Sequence, residues 1–489
     1  MSAIDSRTPV IVGAGQINDR DYGSEPIDLM VRCTEAALDD SGAATALREH
    51  VEAVRVVWGI WPYADPGALV AERIGASGAR TTKTTTGGNQ VYDLVNDTAT
   101  KITAGDLDVA VICAAESHRT RRADHKRGET SRYLDERDGA APHETLGTGK
   151  PLASEREEAA GVHYPTSFYA MAETALRHRR GEAVDEHRAR IAELWSRGSE
   201  IAAANPHAWL REALTPEQIS TVTEQNRPIA APYPKLMTSN LNVDQGGALI
   251  MCSAEAADRL GVPRDRWVFP HAGAGAADHW YPTNRWAFDE SPAMRFVGRG
   301  VLDLAGVGVD DCSLVDLYSC FPVAVQVAQR EMGIPAARDW TITGGLTFAA
   351  GPMNCYCILP ITRAVELLRA TPDQRALLTG NGGYFSKHSA IVLSGEPAGH
   401  EFRWASHQAD VDALPSRPTP TARADAGTLE AYTVTYRRDM EPERAIVSCL
   451  ADDGGRHFAV LDDTDTITEL LATDCCGRRV TIDDAGAHL

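Results

Sequence analysis

The sequence predicts an α/β protein: two stacked β-α-β-α halves, a helical segment inserted between them, and a small β-rich domain at the C-terminus. Three observations predict it. Strand-like apolar runs alternate with helix-period segments in two rounds, over residues 8–116 with 243–258 and again over 267–397. A long charged stretch, residues 117–242, separates the rounds and reads mostly as helices. Beyond a proline-punctuated linker at 415–427, residues 428–489 turn to short alternating strands.

Residues 9–15 form a first strand ending in GAG; lacking a third glycine and an immediate helix, this is a weak dinucleotide-binding signal. Residues 26–41 form a helix with proline at its start and Leu29, Met30, Cys33 and Ala37 on one face. A strand at 51–58, a short helix at 66–75 and a strand at 81–86 follow. The last of these, TTKTTT, is polar on both faces and carries Lys83, which blunts an edge against pairing. A monomer or weak dimer is therefore expected. Gly87 and Gly88 open a helix that runs to about 104, and residues 107–115 are a near-continuous apolar strand, buried on both faces. In the middle segment, HRTRRADHKRGETSRYLDERDG reads as loop, followed by helices at 166–180, 184–205 and 215–225 and the extended return NRPIAAPYPKL. A strand at 244–253 closes the first half. The second round places strands at 267–277, 313–318, 376–378 and 390–394, and helices at 292–306, 322–332 and 356–370. The last domain reads as a three-strand meander, a helix at 466–472 and a strand at 479–482.

Composition excludes several classes of function. At 489 residues the chain is too long for one core. It has no apolar run near the ~20 residues of a membrane span, and its N-terminus, MSAIDSRTPVIVGAG, lacks a signal pattern, so a cytoplasmic location is expected. The formal charge of −20 disfavours nucleic acid and anionic membranes, but not a small anion held by a local basic patch. The ten cysteines include no CxxC pair, and Cys355/Cys357 and Cys475/Cys476 are too close for ordinary metal spacing. Neither a metal nor a covalently bound cofactor is expected.

Three glycine-rich or aromatic turns end apolar runs in the second half: DLYSCFP at 316–322, TGGLTFAAGPMN at 343–354 and LLTGNGGYFSKHS at 377–389. Such turns at strand ends gather into one pocket in an open α/β sheet. In order and spacing they resemble the second catalytic half of the thiolase superfamily. The segment PYPKLMTSNLNVDQGGALIMCS at 232–253, with Asp244, Gly246 and Gly247, is similar to the return from the thiolase loop domain. The resemblance covers roughly 8–395 and is closest to the lipid-transfer-protein (SCP2-type) branch. The last hundred residues look like the additional C-terminal domain of a thiolase-like subgroup. The resemblance implies an acetyl-CoA acetyltransferase-like protein with coenzyme A or an acyl-CoA as ligand.

Thiolase chemistry needs a cysteine at a helix N-terminus, a second acid/base cysteine, an activating histidine and oxyanion donors. Here no cysteine lies between Cys33 and Cys113. The nucleophile's place falls on Thr86 or Gly88, the asparagine/histidine position on Tyr318, the GHP histidine on Gly351 and the second cysteine near Gly380. Ordinary thiolysis is therefore not expected. The candidates for remaining chemistry are His388, Tyr318 and Asn381, with Ser319, Cys320, Asn354, Tyr356 and Lys387 completing the pocket. Lys387 beside His388 would keep the imidazole neutral as a base, although a solvated strand-entry turn explains KHS equally well, and a core tyrosine explains Tyr318. Arg177, Arg179, Arg180 and Arg188, with His178 and Arg190, form a basic cluster in the loop domain. The resemblance makes them coenzyme A phosphate ligands; a solvated helix face is the alternative. Three functions follow: an acyl-CoA-handling transferase with a divergent site, a retro-aldol lyase on a β-hydroxyacyl-CoA, or a non-enzymatic coenzyme A or lipid-binding protein.

Overall fold

The structure, a computed structural model, describes residues 4–162, 164–420, 425–483 and 486–488. The first half builds a six-stranded sheet. Its strands are β1 (Pro9–Asn18), β2 (Ala53–Val56), β3 (Arg80–Thr84), β4 (Val109–Ser117) and β5 (Glu144–Leu146). The middle segment then adds β6 (Pro228–Ala230) and β7 (Tyr233–Pro234), and β8 (Asp244–Ser253) completes the sheet in the order β1-β8-β4-β2-β3-β5. The second half supplies β9 (Phe269–Ala277), β10 (Leu314–Asp316), β11 (Arg375–Gly382), β12 (Lys387–Ser394) and β13 (Arg403–Ser406), ordered β10-β11-β12-β9-β13. β10 and β11 are parallel, with Leu314 opposite Ala376 and Asp316 opposite Leu378.

Two helices lie between the sheets. Gln90–Ala104 packs on both β8 and β12, and Ile358–Ala370 on both β8 and β11. They fill the shared core with side chains such as Val91, Leu94, Val95, Ile358, Ile361 and Val365, all fully buried. Pro26–Asp40 and Pro66–Arg73 cover the outer face of the first sheet, and Pro292–Ala305 covers that of the second. Helix, sheet, helix, sheet and helix therefore alternate, which is the expected stacking of two β-α-β-α halves. Asp244, Gly246 and Gly247 lie in β8, as the expected strand at 244–253 places them. A Cβ on Gly247 would stand 2.9 Å from Ile358, so the glycine permits the central helix to approach.

The middle segment departs from expectation in three places. The charged stretch after β4 begins with a helix, His118–Arg127, and is not all loop. Only Thr120 on it is buried, where its backbone N–H and hydroxyl donate to Asp244 at 3.0 and 2.7 Å. The helix expected over 215–225 is only Pro216–Ser220, because Asn226 folds back and donates to the Ile219 and Thr221 carbonyls at 2.9 Å each. The short β5 pairs in parallel with β3.

β14 (Ala426–Tyr436), β15 (Pro442–Leu450), β16 (Arg456–Leu461), β17 (Arg479–Asp483) and β18 (Gly486–His488) form the third sheet. β6 of the inserted segment joins this sheet through Thr435 and Ala230. Arg456, 1% exposed, explains a second attachment. It pairs with Glu430 at 2.6 Å and donates to the Pro282 carbonyl at 2.6 Å, so its charge and its fork of donors are satisfied across the joint. Among the described residues no helix is long and apolar enough to cross a membrane.

Candidate functional site

The site forms where the helix Gln90–Ala104 starts, two residues after the glycines that were expected to open it. Gly87 has φ +156°, and a Cβ there would strike Asn89 Oδ1 and Lys387 Nζ. The turn is clamped from the second half. Asn354 Oδ1 accepts the Gly87 N–H at 3.0 Å while its Nδ2 donates to the Trp58 carbonyl, also at 3.0 Å. Lys387 Nζ donates to the Thr86 carbonyl. Cys357 Sγ donates to the Gly88 carbonyl at 3.0 Å.

Gly88 has no room for a side chain. Its Cβ would lie 2.3 Å from the Tyr318 hydroxyl and 2.4 Å from the Asn381 carbonyl oxygen. Tyr318 is buried, with its ring edge-on to Tyr356 at 5.6 Å. Tyr356 donates to Asp316 Oδ1 at 3.2 Å, and Asp316 also receives the Thr341 hydroxyl at 2.7 Å and the Ile342 N–H at 3.0 Å. Burial still pushes the Asp316 carboxyl up to about 6, against these donors. Asn381 Nδ2 donates to the Tyr169 hydroxyl at 2.9 Å. Its Oδ1 is buried and has no hydrogen-bond partner among the described residues.

Burial raises the hydroxyls of Tyr318, Tyr356 and Tyr169 well above the ordinary phenol value. They are neutral at pH 7, able to donate but not to act as bases. Cys320 is pushed up to about 12 by burial, which leaves it an inert thiol. Ser319 Oγ accepts the Leu346 N–H at 3.2 Å. Gly380 packs on Asn89 and Tyr92, and Gly351 donates its N–H to the Asn240 carbonyl at 3.0 Å beside Leu346.

His388 is not part of this group. Lys387 and His388 are successive residues of β12 and point to opposite faces. His388 Nε2 faces Ser291 Oγ at 3.1 Å, the Phe385 carbonyl at 3.3 Å and Asp278 Oδ2 at 3.5 Å. Burial opposes the charge on Asp278, but Arg285, His388 and Ser291 together hold its carboxyl below the usual carboxylate range. His388 and Tyr318, expected in one pocket, are thus separated: Lys387 reaches the helix start, while His388 turns to Asp278 and Ser291 on the face that it shares with Asn381. Of the three turns, only the last is mostly strand, in β11 and β12, where Asn381 lies directly opposite His388.

The basic cluster is occupied by partners within the protein. Arg177 is 3% exposed and donates to the Tyr432 hydroxyl at 2.7 Å and Asp474 at 3.1 Å. Arg179 pairs with Asp289, Arg188 with Asp185 at 3.3 Å and Arg190 with Glu182. Arg180 donates to Gln326 at 2.5 Å. Carboxylates hold four of these guanidinium groups where phosphates were expected, and Arg177 fastens the helix Pro165–Arg180 to the third sheet. Among the described residues, His178, Asp474 and Cys476 bring three metal-ligand types within 4.8 Å. Asp474 is already shared between Arg177 and His178, and the guanidinium opposes a second cation there.

Sequence reasoning missed three members of the site: Tyr169, on the inserted helix Pro165–Arg180; Cys357, at the start of the central helix Ile358–Ala370; and Trp58, just beyond β2. No motif marks them, because each reaches the site through tertiary packing.

The model of the thiolase-like protein type 1 additional C-terminal domain matches residues 407–487. A crystal structure of a monomeric SCP2-thiolase-like protein type 1 from Mycobacterium smegmatis is 32% identical, with 99% of both chains covered and a TM-score of 0.85. An Ltp2–ChsH2(DUF35) aldolase superposes with a TM-score of 0.60 at 19% identity, over 79% of this chain and 98% of that one. Human mitochondrial 3-ketoacyl-CoA thiolase does so at 0.58 and 15%, over 80% and 99%. No curated protein matches the chain.

Proposed function

Given that the chain belongs to the SCP2-thiolase-like protein type 1 family of the thiolase superfamily, we propose that it binds an acyl-CoA without forming an acyl-enzyme. One observation carries this reading: the volume that a side chain at position 88 would need holds the Tyr318 hydroxyl and the Asn381 carbonyl. A covalent route needs an activated nucleophile within reach of the thioester carbonyl. At this helix start Tyr318 is instead a neutral donor, which suits hydrogen bonding to a carbonyl oxygen. Coenzyme A, acetyl-CoA and a long or steroid acyl-CoA should each be tested by thermal shift, since a ligand of the folded state raises Tm by mass action. At least one acyl-CoA is expected to raise Tm, with no acyl adduct on the intact protein by mass spectrometry. An adduct mapped to residues 84–90 would overturn the reading.

Tyr318 supports a second reading, retro-aldol cleavage of a β-hydroxyacyl-CoA, in which its hydroxyl donates to the enolate oxygen as the carbon–carbon bond breaks. The aldolase among the similar structures shares the fold alone with this chain. Turnover of a β-hydroxyacyl-CoA that falls in Tyr318→Phe without loss of fold would favour the lyase; ligand binding with no turnover favours the binding protein.

A further inference from the structure

Beside the helix start, between the end of β3 and the segment after β5, lies a cavity of about 410 Å³ walled in part by Lys83, Thr84, Thr85, Thr148, Lys150 and Lys387. The chain has six lysines against forty-two arginines, so half of all its lysines meet at one cavity in a molecule of formal charge −20. Among the described residues, none of the three is bonded to a carboxylate. Lys83 Nζ donates to the Tyr63 and Ala64 carbonyls at 3.2 and 2.7 Å. Lys387 Nζ donates to the Thr86 carbonyl and Lys150 makes no hydrogen bond of that kind; both ammonium groups stand over the Trp280 ring, at 5.6 and 5.2 Å. Asp93 is the carboxylate whose field reaches Lys387, and burial lifts it to about 6 while it bonds Ser389 and Asn89.

The hydroxyls of the cavity add donors. Thr84 Oγ1 accepts the Trp58 N–H at 3.0 Å, Thr85 Oγ1 the Gln90 side-chain amide at 3.4 Å, and Thr148 Oγ1 the Lys150 N–H at 3.2 Å. A hydroxyl that already accepts keeps its own proton to give. Three ammonium groups without ion-pair partners and three such hydroxyls ask for a ligand with several oxygens and more than one negative charge. A phosphate group offers more acceptor oxygens than a carboxylate and bonds ammonium as a point charge.

We propose that this lysine-lined cavity binds the phosphate groups of a phosphorylated small molecule. The diphosphate of a nucleotide such as coenzyme A and free pyrophosphate share this chemistry. Calorimetric titration of the full chain with pyrophosphate, with malonate as a non-phosphate dianion, tests the proposal. Saturable pyrophosphate binding is expected, weakened about tenfold or more in Lys83→Met and in Lys387→Met, with malonate binding far more weakly. Lys150 is exposed, so Lys150→Met keeps the fold and should still weaken binding several-fold. Coenzyme A competing with pyrophosphate would identify a nucleotide as the source; absence of competition would identify a smaller phosphate. The proposal is overturned if pyrophosphate gives no saturable binding, if malonate binds equally well, or if the wild type and Lys150→Met bind alike.

Discussion

Lys387 is held in its place at a cost to the folded state. Burial pushes its ammonium down from 10.5 to about 8, with Asp93 opposing the shift. Below pH 8 both folded and unfolded chains carry the proton, and the folded one bears the full desolvation penalty. Between pH 8 and 10.5 only the unfolded chain keeps it, so stability rises with pH across that window. Lys387→Met is therefore expected to stabilise the protein at pH 7 by about 2 kcal/mol, the desolvation gain less the bond to Thr86. The advantage should vanish near pH 10. Thermal melts of the two proteins at pH 7 and pH 10 check this; a variant less stable than wild type at pH 7 contradicts it. A residue whose removal stabilises the fold while weakening ligand binding is one kept for function.

The start of the helix Gln90–Ala104 is the element on which the chemistry turns. Gly88→Cys is expected to lower stability by about 1–3 kcal/mol, the ordinary cost of overpacking, and to give no thiolysis. Adding Tyr318→Phe relieves the contact with the hydroxyl but not that with the Asn381 carbonyl, which belongs to the backbone of β11. The double variant should recover only part of the loss. Thiolysis by Gly88→Cys in a coenzyme A release assay would contradict the steric argument. The element order was legible in the sequence because buried strands and two-faced helices leave strong apolar patterns, as at Val109–Ser117 and Pro26–Asp40. His118–Arg127 was not legible, since its single buried residue, Thr120, is polar and leaves no apolar pattern. At the site, the glycines and Tyr318 stood out in sequence, but their fit did not. Positions 88 and 318 meet only when the two halves stack, and the alternation that sends Lys387 and His388 to opposite faces depends on β12 beginning at Lys387.

At the scale of the molecule, β5 occupies the edge of β3 that the sequence left polar. Thr82, Lys83 and Thr84 pair with Glu144, Thr145 and Leu146, and Glu144 is fixed by Lys101 at 2.8 Å and Arg55 at 3.3 Å. A strand already paired within its own chain cannot pair with a second copy. Light scattering is expected to give the monomer mass of 52.7 kDa. A stable dimer with Arg80–Thr84 in its interface would contradict this. The sharing of the third sheet matters for how the chain is made as well as for how it is held. β6 leaves the ribosome roughly 200 residues before its partner β14, a wait of about 10–40 s at ordinary rates of translation. During synthesis, then, the inserted segment presents a strand paired with β7 along one edge, whose other edge only the last part of the chain can cover.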